Sequence, residues 1–460
     1  MKKKSILILS LLACFNLFGQ SGNEFNLEQA INYARLNSST LNIQKLEIRD
    51  AKDQILEYKS IGIPKLNASV GYNHFINIPT SILPDFISPA VYGVLFDENV
   101  LPRRDINYGS GFPAQFGLKN SLTAGVQLST LIFDGSFLVG LKAQKLYSDL
   151  IQLQVNQTEA DLRYRVTKAY MGALSIKENL TILDKNIENL EKVYKEVNEI
   201  YKVGFSEKLD VDRIELSLQT LKTEREKLTR LDGITQNVLK FQMNYPLDKD
   251  LVQTESFKQI LDKSYLEIMD PSFKLNTQLR PEYPVIAKGL ELTEINIRRL
   301  KASYLPSLSG FVSHQEVLQR NNLFDNAENS WFPTTIAGLN LNIPIFDGLD
   351  RKAKINRAKT QNEKTKMQFA EFERGVDLEF QNAKTQYINA LATLESRKKS
   401  LDLADRIYLT TKTKFKEGVG SSLEITQAER DLYSAQANVL EAQYNLIQSK
   451  VDLDKALGKI

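Results

Sequence analysis

One spacing constrains this chain more than any other feature. Leu162, Val166, Ala169, Ala173, Ile176, Leu180, Leu183, Ile187, Leu190, Tyr194, Val197 and Tyr201 recur at alternating intervals of four and three, and no proline interrupts residues 136–201. An apolar seam of that period predicts a helix that packs along its whole length in coiled-coil fashion. A helix of about 65 residues is roughly 100 Å long at 1.5 Å per residue, more than an ordinary domain core can bury. A second seam of Phe380, Ala383, Tyr387, Ala390, Leu394, Leu401, Ala404, Tyr408, Thr411 and Phe415 falls on the first when shifted back by 214 residues.

What precedes each seam is also repeated. Leu131-Ile-Phe-Asp-Gly135 and Pro344-Ile-Phe-Asp-Gly348 each close a stretch of alternating apolar and small polar residues. Leu122, Ala124, Val126 and Leu128 alternate with Thr123, Gly125 and Gln127, and Ala337, Leu339 and Leu341 with Gly338 and Asn340. Period 2 predicts strands with one apolar and one small polar face. Asp suits a helix start and Gly a sharp change of direction. Two further strands follow Pro64 and Pro306. One holds Leu66, Ala68, Val70 and Tyr72; the other, from Leu308, alternates less cleanly because Phe311 falls on its polar face. The prolines stand 242 apart but the Phe-Asp-Gly phenylalanines only 213 apart, so the first half carries 29 extra residues. They fall in residues 78–117, whose Pro79, Pro84, Pro89, Pro102 and Pro113 give loop composition.

Each long seam ends in a glycine turn, Val203-Gly-Phe-Ser206 and Gly418-Val-Gly-Ser421, and a shorter apolar-striped segment returns. Ser206 and Glu207 can cap the first returning helix. The chain therefore reads as two tandem repeats. The first covers 25–245, with strands about 66–76 and 120–133 and a helical hairpin about 136–244. The second covers 282–458, with strands about 308–317 and 335–346 and a hairpin about 349–457. Between them 246–281 reads as a link with some short helix.

Residues 1–20 have the make-up of a secretory signal, with Lys2–Lys4 ahead of an apolar stretch. Cys14, the only cysteine, follows Leu-Leu-Ala and is either a lipidation site or part of an ordinary signal core. Of 59 basic and 56 acidic residues, three lysines lie in that segment and leave 56 against 56, a balance without the basic excess of a nucleic-acid binder. No run of about 18 apolar residues follows, so a membrane helix is not expected. Four strands cannot enclose an apolar face, and open sheet edges are not tolerated in lipid, so membrane insertion requires several chains to close one barrel. Apolar-out and polar-in alternation is that of outer-membrane barrel strands, and Trp331 and Phe332 at a strand end fit an interfacial girdle.

Taken in order, these landmarks resemble the TolC family of outer-membrane efflux proteins. The carrying residues are Pro64 and Pro306, the two Phe-Asp-Gly junctions, Gly204 and Gly418, and the direct repeat over nearly all of 25–458. The resemblance implies an α+β membrane protein: a homotrimer with a 12-stranded β-barrel in the outer membrane of a Gram-negative bacterium and a periplasmic tunnel of coiled-coil helices. It implies work with a periplasmic adaptor and an inner-membrane pump of RND, ABC or MFS type, in efflux or type I secretion. The turns Val203, Gly204, Phe205 and Ser206, and Gly418, Val419, Gly420 and Ser421, match the tip that receives the adaptor. Glu424 matches the first acidic ring of the family's constriction, and Gln427 stands uncharged at the second. Asp210 matches the acceptor of the ties that close the tip, whereas the donor positions hold Phe415 and Gly420, which have no side-chain donor.

Residue patterns for other chemistry are missing. The two histidines, His74 and His314, have no ligand-spaced partners, so no metal or cofactor is expected. Neither a phosphate loop nor a nucleophile elbow occurs. The acids read mainly as solvated helix faces, and the chain does not read as an enzyme. Two alternatives share the heptads. A coiled-coil surface stalk or adhesin leaves the strands unexplained. A periplasmic adaptor would carry one hairpin rather than two.

Overall fold

The computed structural model describes residues 23–107, 111–256, 273, 275–322 and 331–460. The first repeat comprises β1 (Glu24–Phe25), α1 (Leu27–Asn37), α2 (Ser39–Ser60), β2 (Lys65–His74), β3 (Thr80–Leu83), α3 (Ile87–Asp97), β4 (Phe112–Gln115), β5 (Asn120–Phe133), α4 (Gly135–Lys202) and α5 (Lys208–Met243). After β6 (Val252–Gln253) come α6 (Glu282–Ala302), β7 (Ser307–Arg320), β8 (Phe332–Asn342), α7 (Asp350–Lys416) and α8 (Ser422–Ala456). The chain forms two compact units, one of Gln54–Gln144 with Ile295–Ala358, the other of Met1–Asp53, Lys145–Glu294 and Lys359–Ile460.

In the first of these units four strands make one antiparallel sheet in the order β2-β5-β7-β8. Register sets its faces. Leu66, Ala68 and Val70 lie opposite Leu128, Val126 and Ala124, while Asn67 and Ser69 lie opposite Gln127 and Gly125. On the apolar side Val312 meets Leu128 and Ala337, and Leu308 meets Leu341. Strand β7 keeps that pattern only as far as Val312. His314 and Glu316 sit on the apolar face opposite Val126 and Ala124, with His314 Nδ1 2.8 Å from Thr335 Oγ1. Phe311, on the other face, rests on Gly338, where an added Cβ would come within 2.8 Å of its ring. Strand β8 stops at Asn342 rather than running to 346, because Pro344 has no N–H to donate to a ladder.

The two Phe-Asp-Gly junctions work differently. Asp134 caps α4, accepting from the N–H of Phe137 at 2.8 Å. The second junction is looser: Gly348 and Leu349 both have positive φ, 63° and 71°, and Asp347 accepts from the N–H of Arg351 at 3.1 Å.

The extra residues 78–117 are more ordered than loop composition implies. Strands β3 and β4 pair from Thr80–Gln115 to Leu83–Phe112 and enclose α3. That helix carries no charge from Ile87 to Phe96, Asp85 accepts from the N–H of Ser88 at 2.8 Å, and Pro89 lies in the first turn, where a missing N–H costs nothing.

In the other unit the long helices pair along their seams. Leu183, Ile187, Leu190, Val193 and Val197 of α4 bury against Val211, Ile214 and Leu218 of α5. Ala404 and Tyr408 of α7 bury against Ile425, Ala428, Leu432 and Ala435 of α8. Helix α4 is tied to α8 by Asn186 Nδ2 donating to Gln436 Oε1 at 2.9 Å and by Lys168 and Tyr164, both 2.7 Å from Asp452. The described part of 246–281 holds one short 3-10 helix, Thr277–Leu279, and β6 pairs in parallel with β1. Arg280, 3% exposed, bonds Glu282 and Glu379 at 3.0 Å and the Lys455 carbonyl at 2.9 Å.

The hairpin turns as a candidate docking and gating site

Both turns are built on a glycine in the left-handed region. Gly204 has φ +85° and Gly418 φ +73°, and an added Cβ at either would meet open space. Their requirement is conformational, as expected where a helix ends in an αL residue. Tyr201 and Ile200 carbonyls accept from Gly204 and Phe205 at 2.9 and 3.1 Å. The Lys414 carbonyl accepts from Val419 at 3.0 Å and Gly420 at 3.1 Å. Gly420 is small for a different reason, since a Cβ there would lie 3.0 Å from the Phe415 nitrogen.

These turns push apolar side chains into water. Phe205 is 86% exposed, Val419 78% and Val203 67%. Exposed apolar clusters of this kind mark surfaces that another molecule covers.

Behind the turns, Asp210 joins the two repeats. Its carboxylate accepts from Ser422 Oγ at the start of α8, from Ser206 Oγ at 3.1 Å and from the N–H of Glu207 at 3.3 Å. Burial opposes its charge, but the hydrogen bonds from Ser422, Ser206 and Glu207, with Arg213 nearby, hold its pKa below the ordinary carboxylate value. A second crossing bond runs from Arg430 of α8 to Ser217 Oγ of α5 at 3.4 Å. Thus Ser206 serves Asp210 rather than the helix start, and Glu207 itself is the N-cap of α5. Ser421 caps α8, accepting from the N–H of Glu424 at 3.2 Å.

The expected site residues separate into two groups. Asp210 is half-buried between α5 and α8, and its partner across the repeats is Ser422. Glu424 and Gln427 lie one turn apart on the exposed side of α8, where Gln427 donates to Asp431 at 3.0 Å. Sequence reasoning missed Ser422 because the expected donor positions were Phe415 and Gly420, and Ser422 lies two positions beyond the second of these. Cys14 and the signal segment lie outside the described residues. Among the described residues no cluster of three metal-ligating side chains occurs, and no helix is long and apolar enough to cross a membrane.

Comparison with known proteins agrees with this geometry. The family model for outer membrane efflux proteins matches residues 278–459. A probable efflux pump outer membrane protein of Pseudomonas putida, TtgC, is 23% identical over 356 residues, 76% of this chain and 70% of that protein. The outer membrane protein TolC of Escherichia coli is 19% identical over 365 residues, 77% of this chain and 73% of TolC. The crystal structure of CusC superposes with a TM-score of 0.71 at 16% identity, covering 94% of this chain and 92% of that one. Repeat order, turn geometry, sheet topology and these matches agree: the chain has the fold of the outer-membrane efflux channels, and residues 278–459 match the family model of the outer membrane efflux proteins.

Proposed function

We propose that the protein is the outer-membrane duct of a tripartite efflux or type I secretion system. One observation carries this reading: the four-stranded sheet leaves β2 and β8 as open edges of 10 and 11 residues beside an exposed apolar face. Alternate strands of the sheet run in opposite directions, so β8 of one copy and β2 of the next can pair and keep the barrel antiparallel throughout. Three copies give a homotrimer with the 12 strands that the family resemblance implies, inserted in outer-membrane lipid and continued by a periplasmic tunnel. An adaptor or a stalk would have no use for this sheet.

At the turns, Phe205, Val203 and Val419 give a periplasmic adaptor an apolar surface to cover, and an inner-membrane pump of RND, ABC or MFS type would deliver the cargo. Glu424 supplies an acidic ring at the constriction. Gln427, uncharged, makes the second ring weaker in charge selection. The Asp210–Ser422 bond replaces the family's closing tie.

The test is the mass of unheated protein extracted from outer membranes in mild detergent, corrected for bound detergent. A trimer is expected. A stable monomer would leave the edges unpaired in lipid and overturn the duct, and a dimer would overturn the 12-stranded closure.

A further inference from the structure

Glu429 is the anomaly of the α7–α8 hairpin. It adjoins the seam residues Ile425, Ala428 and Leu432 and is 2% exposed. Its Oε1 atom is buried without a hydrogen-bond partner. A carboxylate so placed pays desolvation without compensation. Helix α7 presents Tyr408 and Lys412 to this region, and Glu429's own helix presents Tyr433. Both tyrosines are pushed up first by burial and then by the Glu429 charge. Glu196 of α4 and Asp405 of α7 add further negative charge at Tyr408. From α4 the Asn186 carbonyl accepts the Tyr433 hydroxyl at 3.4 Å, and from α5 Ser217 accepts from Arg430 at 3.4 Å. The cation that favours the Glu429 carboxylate is Lys412, whose Nζ lies 5.4 Å from the centre of the Tyr408 ring. Burial outweighs Lys412 and raises Glu429 to about 7.

We infer that Glu429 is a pH-operated wedge in the α7–α8 hairpin: protonated, it is tolerated in the seam; ionised, it is driven toward water and loosens the hairpin behind the Gly418–Ser421 turn. The sign follows from linkage. The packed seam holds the proton, with a pKa of about 7 against an ordinary value of 4.5. Packing therefore costs nothing extra below the ordinary value, and its cost grows as pH rises from there to the packed value. Between pH 5 and 7 the opening equilibrium rises about thirtyfold for one such group. The inference is independent of what the duct carries and of how many copies assemble.

Amide hydrogen exchange of the full-length protein in detergent tests it, corrected for the intrinsic pH dependence of exchange. Segments 404–412 and 425–435 are expected to lose about thirtyfold in protection from pH 5 to 7, and Glu429→Gln, which keeps the shape and removes the charge, is expected to show no such loss. An unchanged pH dependence in Glu429→Gln, or its absence in the unmodified protein, overturns the inference. Infrared titration of the carboxyl, read as the difference between the unmodified protein and Glu429→Gln, is expected to give a value near neutrality; a value below 5 overturns it too.

Discussion

Placing an arginine on the apolar face of β8 tests the membrane reading where the structure is least forgiving. Leu339 is 71% exposed on that face and lies directly opposite Gly310. Its diagonal neighbours on β7 are Leu308 and Val312, and its neighbours along β8 are Ala337 and Leu341, so no carboxylate on these strands is in reach of an arginine there. Leu339→Arg therefore has to carry its charge into lipid unpaired. Near the bilayer midplane that costs about 2–4 kcal/mol per copy. The lower figure is about a thirtyfold loss in each copy's insertion equilibrium, and the cost triples in a trimer. Asn340→Arg is the matched control, one residue along the same strand but on the opposite face, across from Ser309. It should cost within about 1 kcal/mol, because a lumen-facing charge stays in water. The assay is the fraction of heat-resistant oligomer recovered from outer membranes and after refolding into liposomes. Leu339→Arg should fall below detection while Asn340→Arg resembles the unmodified protein. Equal recovery of the two variants would refute the assignment of faces and with it the barrel. Val126 is a poorer probe, because Glu316 lies diagonally across from it and could pair with the new charge.

Four further predictions concern the helical unit. Asp210→Ala removes a carboxylate that two serines and a backbone N–H serve, and should weaken the tie between α5 and α8 by about 1.5 kcal/mol; ion conductance across planar bilayers should rise, and unchanged conductance would show that the tie does not hold the tip. Because that carboxyl is held below its ordinary value of 3.8, the tie's contribution is full above that pH and is lost as pH falls through the lowered value; Asp210→Asn should abolish that acid-side loosening in hydrogen exchange. Phe205→Asp removes an apolar side chain that is 86% exposed, so thermal stability and oligomer recovery should not change while adaptor cross-linking and export are lost; normal export would remove this turn from the docking surface. Arg280→Ala leaves Glu282 and Glu379 without their shared cation and should cost about 3 kcal/mol, read as a fall in thermal midpoint; a shift of less than a degree would show that the cluster is not structural.

How much of this was legible in the sequence follows from where the information lies. Seams, strand faces and turns are written as local periods: Val166 to Tyr201 needs only its own spacing to be read as a packed helix edge. Features that depend on which elements meet are not written that way. Four prolines between Pro84 and Pro113 disguise α3, since composition does not reveal that Pro89 falls in a first turn, where it is harmless. His314 and Glu316 look like ordinary strand residues until register places them opposite Val126 and Ala124. Arg280 reads as a link residue because its partners other than Glu282 stand 99 and 175 positions away.

Ser422 and Glu429 make the same point at the tip, with a physical consequence. A polar tie needs only a side chain that reaches the carboxylate, and Ser422 reaches Asp210 although Gly420, the expected donor position, has no side chain to offer. An acid on a helix rich in acids reads as solvated, and only the packing of neighbouring helices strips water from Glu429. The two groups bias the tip in opposite directions. Acid weakens the Asp210 tie, and rising pH strains the Glu429 seam, each over a range set by its own surroundings. Between the two ranges the hairpins are held by both devices at once, so a single variant at either position should leave a one-sided pH response. Only Asp210→Asn combined with Glu429→Gln should flatten hydrogen exchange at the tip across the whole range. A pH response that survives in the double variant would have to come from elsewhere, and the exposed acids left beside the two turns are Glu207, Glu417 and Glu424.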